Sequence, residues 1–255
     1  MSTTDIAACA GLVQRGDPDR FRAAMAAPVE ARAKLFPLYA FNLEVARAPW
    51  VTQEPLIAEM RLQWWRDALD EIASGGAVRR HEVVTPLAEA IDAEGARALD
   101  GLVSARRADI EKSAPASRAA LRTYLEATAG TLLWVAGRAI GAPHDGLRAA
   151  GLAQGTAAFL RAVPDLIAKG HHALPHGDQV TEMLHLAEIG LDALATARRA
   201  KLSKGARPVL GVMANVDATL RAVRKDPRAA LDAPVPISRA SAPLRTGLAV
   251  TLGRF

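Results

Sequence analysis

The chain has 255 residues, of which 50% are hydrophobic and 23% charged, a globular balance that excludes disordered and fibrous classes. The formal net charge is +5, but the arginines are spread along helices (Arg106, Arg107, Arg198, Arg199, Arg221, Arg224). No basic stripe with interleaved aromatics forms, so no nucleic-acid partner is expected. The single cysteine, Cys9, excludes an internal disulfide and fits a reducing compartment as a small core residue.

The stretch from Met1 to Arg15 carries Asp5 early and lacks a basic region followed by an apolar core, so it does not read as a signal peptide. No stretch has the apolar length of a membrane span, and even Leu132 to Ile140 is interrupted by Arg138. A cytoplasmic protein, free to touch a membrane peripherally, is the expectation.

Much of the apolar share is alanine and leucine, which favours helix over strand. Ile6, Cys9 and Val13 share one face of a first helix ended near Gly16. Asp17 then offers an N-cap with Pro18 at the first helical position. A stripe of Leu35, Leu38, Tyr39, Asn42, Val45 and Ala46 predicts a helix from Ala31 to Arg47, broken at Pro49. Pro55 opens the next, with Ile57, Met60, Trp64, Ala68 and Ile72 at helical spacing and Gly75-Gly76 as its stop.

Thr85-Pro86 reads as another cap and start. Ser117 to Ile140 predicts one long apolar helix closed by Gly141, and His144 to Lys169 another, followed by a loop from Gly170 to Gly177. Thr181 to Lys204 and Pro208 to Arg224 complete the set. Prolines at 227, 234, 236 and 243 predict an irregular segment over 225–255 before a last short helix ending at Phe255. No alternating strand pattern, repeat or heptad run interrupts this. The expectation is one all-α domain over 1–255, with its core at about 5–224.

Three stretches together resemble the squalene/phytoene synthase family. They are Arg32 with Leu35 and Leu38-Tyr39-Ala40-Phe41, Tyr124 with Ala129-Gly130, and Phe159-Leu160-Arg161-Ala162-Val163-Pro164-Asp165 followed by Lys169-Gly170 and Leu174-Pro175. The resemblance runs from Cys9 to about Val223. It implies a single-domain isoprenoid synthase fold, a helical bundle around a central cavity. In that family two aspartate-rich motifs face each other across the cavity mouth, and magnesium bridges their carboxylates to the diphosphates of two prenyl substrates joined head to head. Departure of diphosphate leaves a carbocation, so the leaving group is neutralised by metal and by Arg or Lys.

Carried over residue by residue, the paired carboxylate positions fall at Ala46 and Trp50, with Arg47 between them, and at Ala162 and Leu166. All four lack a carboxylate. Asp165 stands one residue early beside Pro164, which is expected to disturb the helical register. Glu44 stands two residues early, rotated about 200° around the helix. Loss of both metal sites is expected to cost at least ~10³-fold in rate. No catalytic residue and no metal ligand is therefore expected, and magnesium only if prenyl transfer on prenyl diphosphates, the alternative reading, holds.

A non-synthase branch of the same family, the assembly factors for respiratory complex I, is a closer resemblance. Its pattern is matched by Ala40-Phe41-Asn42-Leu43-Glu44, by Met60-Arg61-Leu62-Gln63-Trp64-Trp65, and by Leu160 to Pro164 with Leu174-Pro175. The resemblance implies a non-catalytic role in complex I assembly, exercised on a membrane subunit or an isoprenoid or lipid, at or near the inner membrane. It also implies ligand-binding positions at the cavity mouth at Arg32, Tyr39, Asn42, Arg61, Arg161 and Lys169. Three other clusters have simpler readings. Asp67, Asp70 and Glu71 read as a solvated helix face. His171, His172 and His176 share a loop without ligand geometry, and Trp64-Trp65 reads as packing, one ring in the core and one at an interface.

Overall fold

The structure, a computed structural model, describes residues 3–237 and 241–255. Residues Met1 and Ser2 of the N-terminal stretch, and 238–240 of the proline-rich segment, lie outside the described residues. Among those described there is no strand. The helices are α1 (Thr3–Gly16), α2 (Pro18–Ala26), α3 (Val29–Arg47), α4 (Pro55–Ser74), α5 (Val84–Ala90), α6 (Ala93–Ala105), α7 (Arg118–Leu125), α8 (Thr131–Ala139), α9 (Gly146–Ala168), α10 (Gln179–Arg199), α11 (Val216–Lys225), α12 (Pro227–Asp232) and α13 (Ala242–Leu252).

Many boundaries follow from local chemistry. The Asp17 carboxylate accepts the Arg20 N–H at 2.9 Å to start α2, with Pro18 at its first position. Ser117 and Asp178 do the same for α7 and α10. Gly75 ends α4 at φ +70°, a conformation glycine adopts without a Cβ penalty.

Other expectations need correction. Thr85 is not the cap of α5, which begins at Val84. His81 caps it instead, its Nδ1 accepting the Val83 N–H at 3.1 Å, while the Thr85 hydroxyl accepts the His81 N–H at 3.0 Å. The helix drawn from Ser117 to Ile140 is interrupted by a π-helical turn, Glu126–Gly130, where the hydroxyls of Thr128 and Thr131 donate to the carbonyls of Tyr124 and Glu126. Helix α10 stops at Arg199, short of Lys204, because Lys201 turns to φ +46°. The segment from Pro208 is not one helix. It belongs to a 3-10 stretch, Lys204–Met213, which gives way to α11. The C-terminal segment is less irregular than expected, since α12 lies within it and α13 ends at Leu252, capped by Gly253 at φ +67°. Pro164 does not break α9, which runs through it to Ala168.

Helix α9 is the hub, packed on α10, α8, α11, α12 and the π turn, while α1 lies on α3 and α4 on α6. Gly151 and Gly155 let α9 approach the π turn at backbone distance: a Cβ on Gly151 would stand 2.4 Å from the Ala129 carbonyl oxygen. Phe41, Leu35, Leu38, Leu62, Leu147, Leu160 and Met183 are fully buried in the shared core, and each such side chain contributes about 1.5–3 kcal/mol of burial. Cys9 is in the core as expected, its Sγ 3.4 Å from the Glu82 carbonyl.

Candidate functional site

Two of the cavities beside α9 hold three of the four aspartate positions, Trp50 and Leu166 in one and Ala162 in the other, while Ala46 lines neither. Trp50 stands in the 3-10 turn Ala48–Trp50 that follows α3, and Leu166 in the last turns of α9. Both line a cavity of about 330 Å³, with Tyr124, Phe159 and Leu121 behind them and Lys112 and His172 at its edge. The Trp50 indole stacks on His171, with ring centroids 4.2 Å apart and planes 30° from parallel. An indole and a leucine thus face one cavity from two of the positions at which the resemblance implies carboxylates.

Tyr124 is held firmly at that cavity. Its hydroxyl accepts from Arg106 Nη1 at 2.6 Å and donates to the Asp109 carboxylate at 2.8 Å, and Arg106 and Asp109 are themselves paired at 3.1 Å. Burial pushes the Tyr124 phenol well up, so it remains protonated.

Ala162 lines the second and larger cavity, about 1020 Å³, between α2, α9, the 3-10 stretch and the C-terminal segment. Its charged lining is internally matched. Arg20 bonds Asp17 and, at 3.0 Å, the Gln154 amide oxygen; Asp19 takes Arg22 at 3.0 Å and Arg161 at 3.4 Å. The Arg20 guanidinium also lies 5.9 Å from the centre of the Tyr39 ring. Tyr39 is buried and its hydroxyl has no hydrogen-bond partner; burial pushes its pKa up to about 12.

The six residues named from the resemblance do not converge on one point. Arg161 lines the larger cavity, with Tyr39 reached only through Arg20. Arg32 spends its Nε on the Ala27 carbonyl at 2.8 Å, tying the start of α3 to the end of α2. Asn42 is buried in α3, whereas Arg61 on α4 and Lys169 at the end of α9 are exposed. Sequence reasoning missed Arg20, Asp19 and Gln154, although Asp17 and Arg20 at i, i+3 on one helix start hinted at a local pair.

The residues present do not fit magnesium, which requires oxygen donors. Ala46, Trp50, Ala162 and Leu166 offer none, and Asp165 and Glu44 are not paired with another acid. Among the described residues no group of three His, Cys, Asp or Glu side chains is arranged to hold a metal ion. Asp67 accepts from Gln63 at 2.7 Å and Glu71 binds Arg79 through both oxygens. His171 lies against Trp50, while His172 and His176 point to solvent. Trp65 is in the core, and Trp64 packs edge-on against it under the Arg79 guanidinium. No helix among the described residues is long and apolar enough to cross a membrane.

The fold and the family are those of known proteins. A Drosophila melanogaster protein, the homolog of NADH dehydrogenase (ubiquinone) complex I assembly factor 6, is 34% identical over 168 residues, covering 61% of this chain and 50% of its own. The Bos taurus and Homo sapiens assembly factor 6 proteins are each 28% identical over 173 residues, 61% of this chain and 48% of theirs. The chain spans about half the length of these relatives. Among solved structures, a dehydrosqualene synthase in complex with ligand superposes with a TM-score of 0.75 at 13% identity, over 96% of this chain and 95% of that one. Squalene synthase HpnC from Alicyclobacillus acidocaldarius gives 0.70 at 16% identity, over 87% and 94%. These two establish the isoprenoid synthase fold. The squalene/phytoene synthase model matches residues 13–181, from α1 into α10, and the chain belongs to that family.

Proposed function

We propose that this chain is a non-catalytic member of the family that acts in the assembly of respiratory complex I, by binding a membrane subunit of that complex or an isoprenoid or lipid. One observation carries the reading. Trp50 and Leu166 occupy two of the positions where the family holds magnesium, facing one apolar cavity, with the indole stacked on His171. The relatives named as complex I assembly factors, 28–34% identical over 61% of this chain, support the role. Of the six candidate ligand contacts, Arg161 and Tyr39 have the strongest support, as a cavity-lining cation and a buried hydroxyl without a partner. The chain would work in the cytoplasm, peripheral to the inner membrane.

Deletion of the gene is expected to lower the level of assembled complex I and its NADH:quinone activity, with recovery on re-expression. Normal levels of both in the deletion strain would sink the reading. The catalytic alternative is tested separately. Purified chain, incubated with farnesyl or geranylgeranyl diphosphate and magnesium, is expected to release no diphosphate and form no joined product. Turnover would instead establish a prenyl transferase with unusual ligands.

A further inference from the structure

The surface beside the smaller cavity carries large apolar side chains with nothing over them. Leu56 is 72% exposed, Met60 64%, Val51 50%, Ile57 44% and Trp50 38%. They sit on two elements that pack together: Trp50 and Val51 end the turn after α3, and Leu56, Ile57 and Met60 lie within the first two turns of α4, which packs on that turn. Residues 56 and 60 are one helical turn apart, so their side chains project together. Five bulky side chains this exposed on one small area mark an interaction surface, since scattered single apolar residues are the ordinary case.

The charges around the area indicate what it meets. Arg61 stands one turn after Ile57 and joins no ion pair among the described residues. Neither do Lys112 and Lys169, whose charges are close enough to His171 to lower its basicity beyond what its burial does. Arg47, in the last turn of α3, is exposed and only loosely paired with Glu44 at 3.9 Å. The acids nearby without an ion pair among the described residues are Glu54, Glu111 and Asp165, the last one turn before Lys169; Glu59 and Asp109 are bound by Arg107 and Arg106. The area is thus apolar at its centre and basic at its edge, with a tryptophan at the boundary. This is the arrangement that suits a headgroup layer, where apolar side chains enter the acyl boundary and cations meet phosphates. Trp50 belongs both to this face and to the lining of the cavity, so the cavity opens beside it.

We propose that this face, Trp50 and Val51 with Leu56, Ile57 and Met60, docks the chain on an anionic phospholipid surface, with Arg47, Arg61, Lys112 and Lys169 against the headgroups. The proposal deepens the reading given above, because it supplies the means by which the chain reaches a membrane-embedded complex.

The test is co-sedimentation of the full chain with vesicles of phosphatidylcholine containing roughly one-third phosphatidylglycerol, against phosphatidylcholine alone. Wild type is expected to sediment with the anionic vesicles and to be largely released at about 1 M salt, where screening acts within ~3 Å. The double variant L56D/M60D is expected to lose about tenfold or more in partitioning. Both side chains are exposed, so its thermal midpoint should match wild type. A control, L244D, alters another exposed leucine, on α13, and is expected to bind as wild type does. Wild type remaining in the supernatant would overturn the proposal, as would L56D/M60D sedimenting unchanged, or equal binding to neutral vesicles. Any of these would leave the complex I phenotype of the deletion strain untouched, and an absent phenotype would leave vesicle binding untouched, so the two readings fail separately.

Discussion

Replacing Gly151 by alanine tests whether the contact between α9 and the π turn is as tight as its geometry requires. A Cβ there would lie 2.4 Å from the Ala129 carbonyl oxygen, 2.8 Å from the Gly130 Cα and 3.0 Å from the Ala129 carbonyl carbon. All three are backbone atoms, so no side chain can turn away, and relief requires α9 to move off the π turn by roughly 1 Å. A gap of that size forfeits a quarter to a half of each contact along the interface. Overpacking of this kind costs about 1–3 kcal/mol, more where the backbone is fixed on both sides. Against it stands the gain of alanine over glycine in a helix, about 1 kcal/mol.

With three backbone clashes the cost lies at the upper end, so the net expectation is a loss of about 2 kcal/mol, or ~4–8 °C in thermal midpoint for a chain of this size. Gly101 on α6 is the control, because a Cβ there meets nothing within 4 Å. Gly101→Ala should gain about 0.5–1 kcal/mol. Chemical denaturation followed by circular dichroism, with the slope unchanged, measures both. Equal shifts in the two variants, or a Gly151→Ala chain as stable as wild type, would refute the tight-contact reasoning.

Three further outcomes follow from buried and paired groups. Arg118 grips the nearly buried Glu182 with bonds of 2.6, 2.8 and 3.1 Å, and these hold the carboxyl below its ordinary value of 4.5. The stability this contributes is present at neutral pH and is lost as pH falls through the carboxylate range. Glu182→Gln should therefore lose about 1–2 kcal/mol at pH 7 and show a flatter acid limb in pH-dependent unfolding. Burial pushes the Cys9 thiol from 9.0 to about 12. It should stay unmodified by a thiolate-directed reagent at pH 8 until the chain unfolds, and stability should decline from pH 9 towards 12 as the unfolded thiol ionises first. His171 is held below the ordinary histidine value mainly by burial and then by Lys112. Trp50→Ala removes the ring that covers it, so its titration, followed by NMR, should move up towards that value.

Much of the architecture could be read from Pro, Gly and Asx positions because those residues act on the next few residues of chain. Asp17-Pro18, Pro55 and Gly75 each mark a boundary where expected. The failures share a different cause. The cap of α5 is His81, a residue type whose ring nitrogen serves as an acceptor only in one tautomer and one loop geometry. The π turn at Glu126–Gly130 packs against α9 at backbone distance, a contact made across the fold that local spacing does not encode. The altered metal positions were legible by alignment to a family pattern. The partners of Arg20 and Arg161 were not, since Gln154 and Asp19 are brought to them only by tertiary packing.

What remains at the altered site is shape without its former charge. A diphosphate would need metal or unengaged cations, but in the larger cavity Arg20, Arg22 and Arg161 already face Asp17 and Asp19 at hydrogen-bond or ion-pair distance. An incoming anion would have to displace those carboxylates and leave them without a partner, which offsets most of what it would gain. In the smaller cavity the lining is largely apolar, with Lys112 as its one lysine or arginine among the described residues. The charges of the larger cavity are thus spent on one another and the smaller one holds Lys112, so neither offers the cluster of unengaged cations that a leaving diphosphate needs.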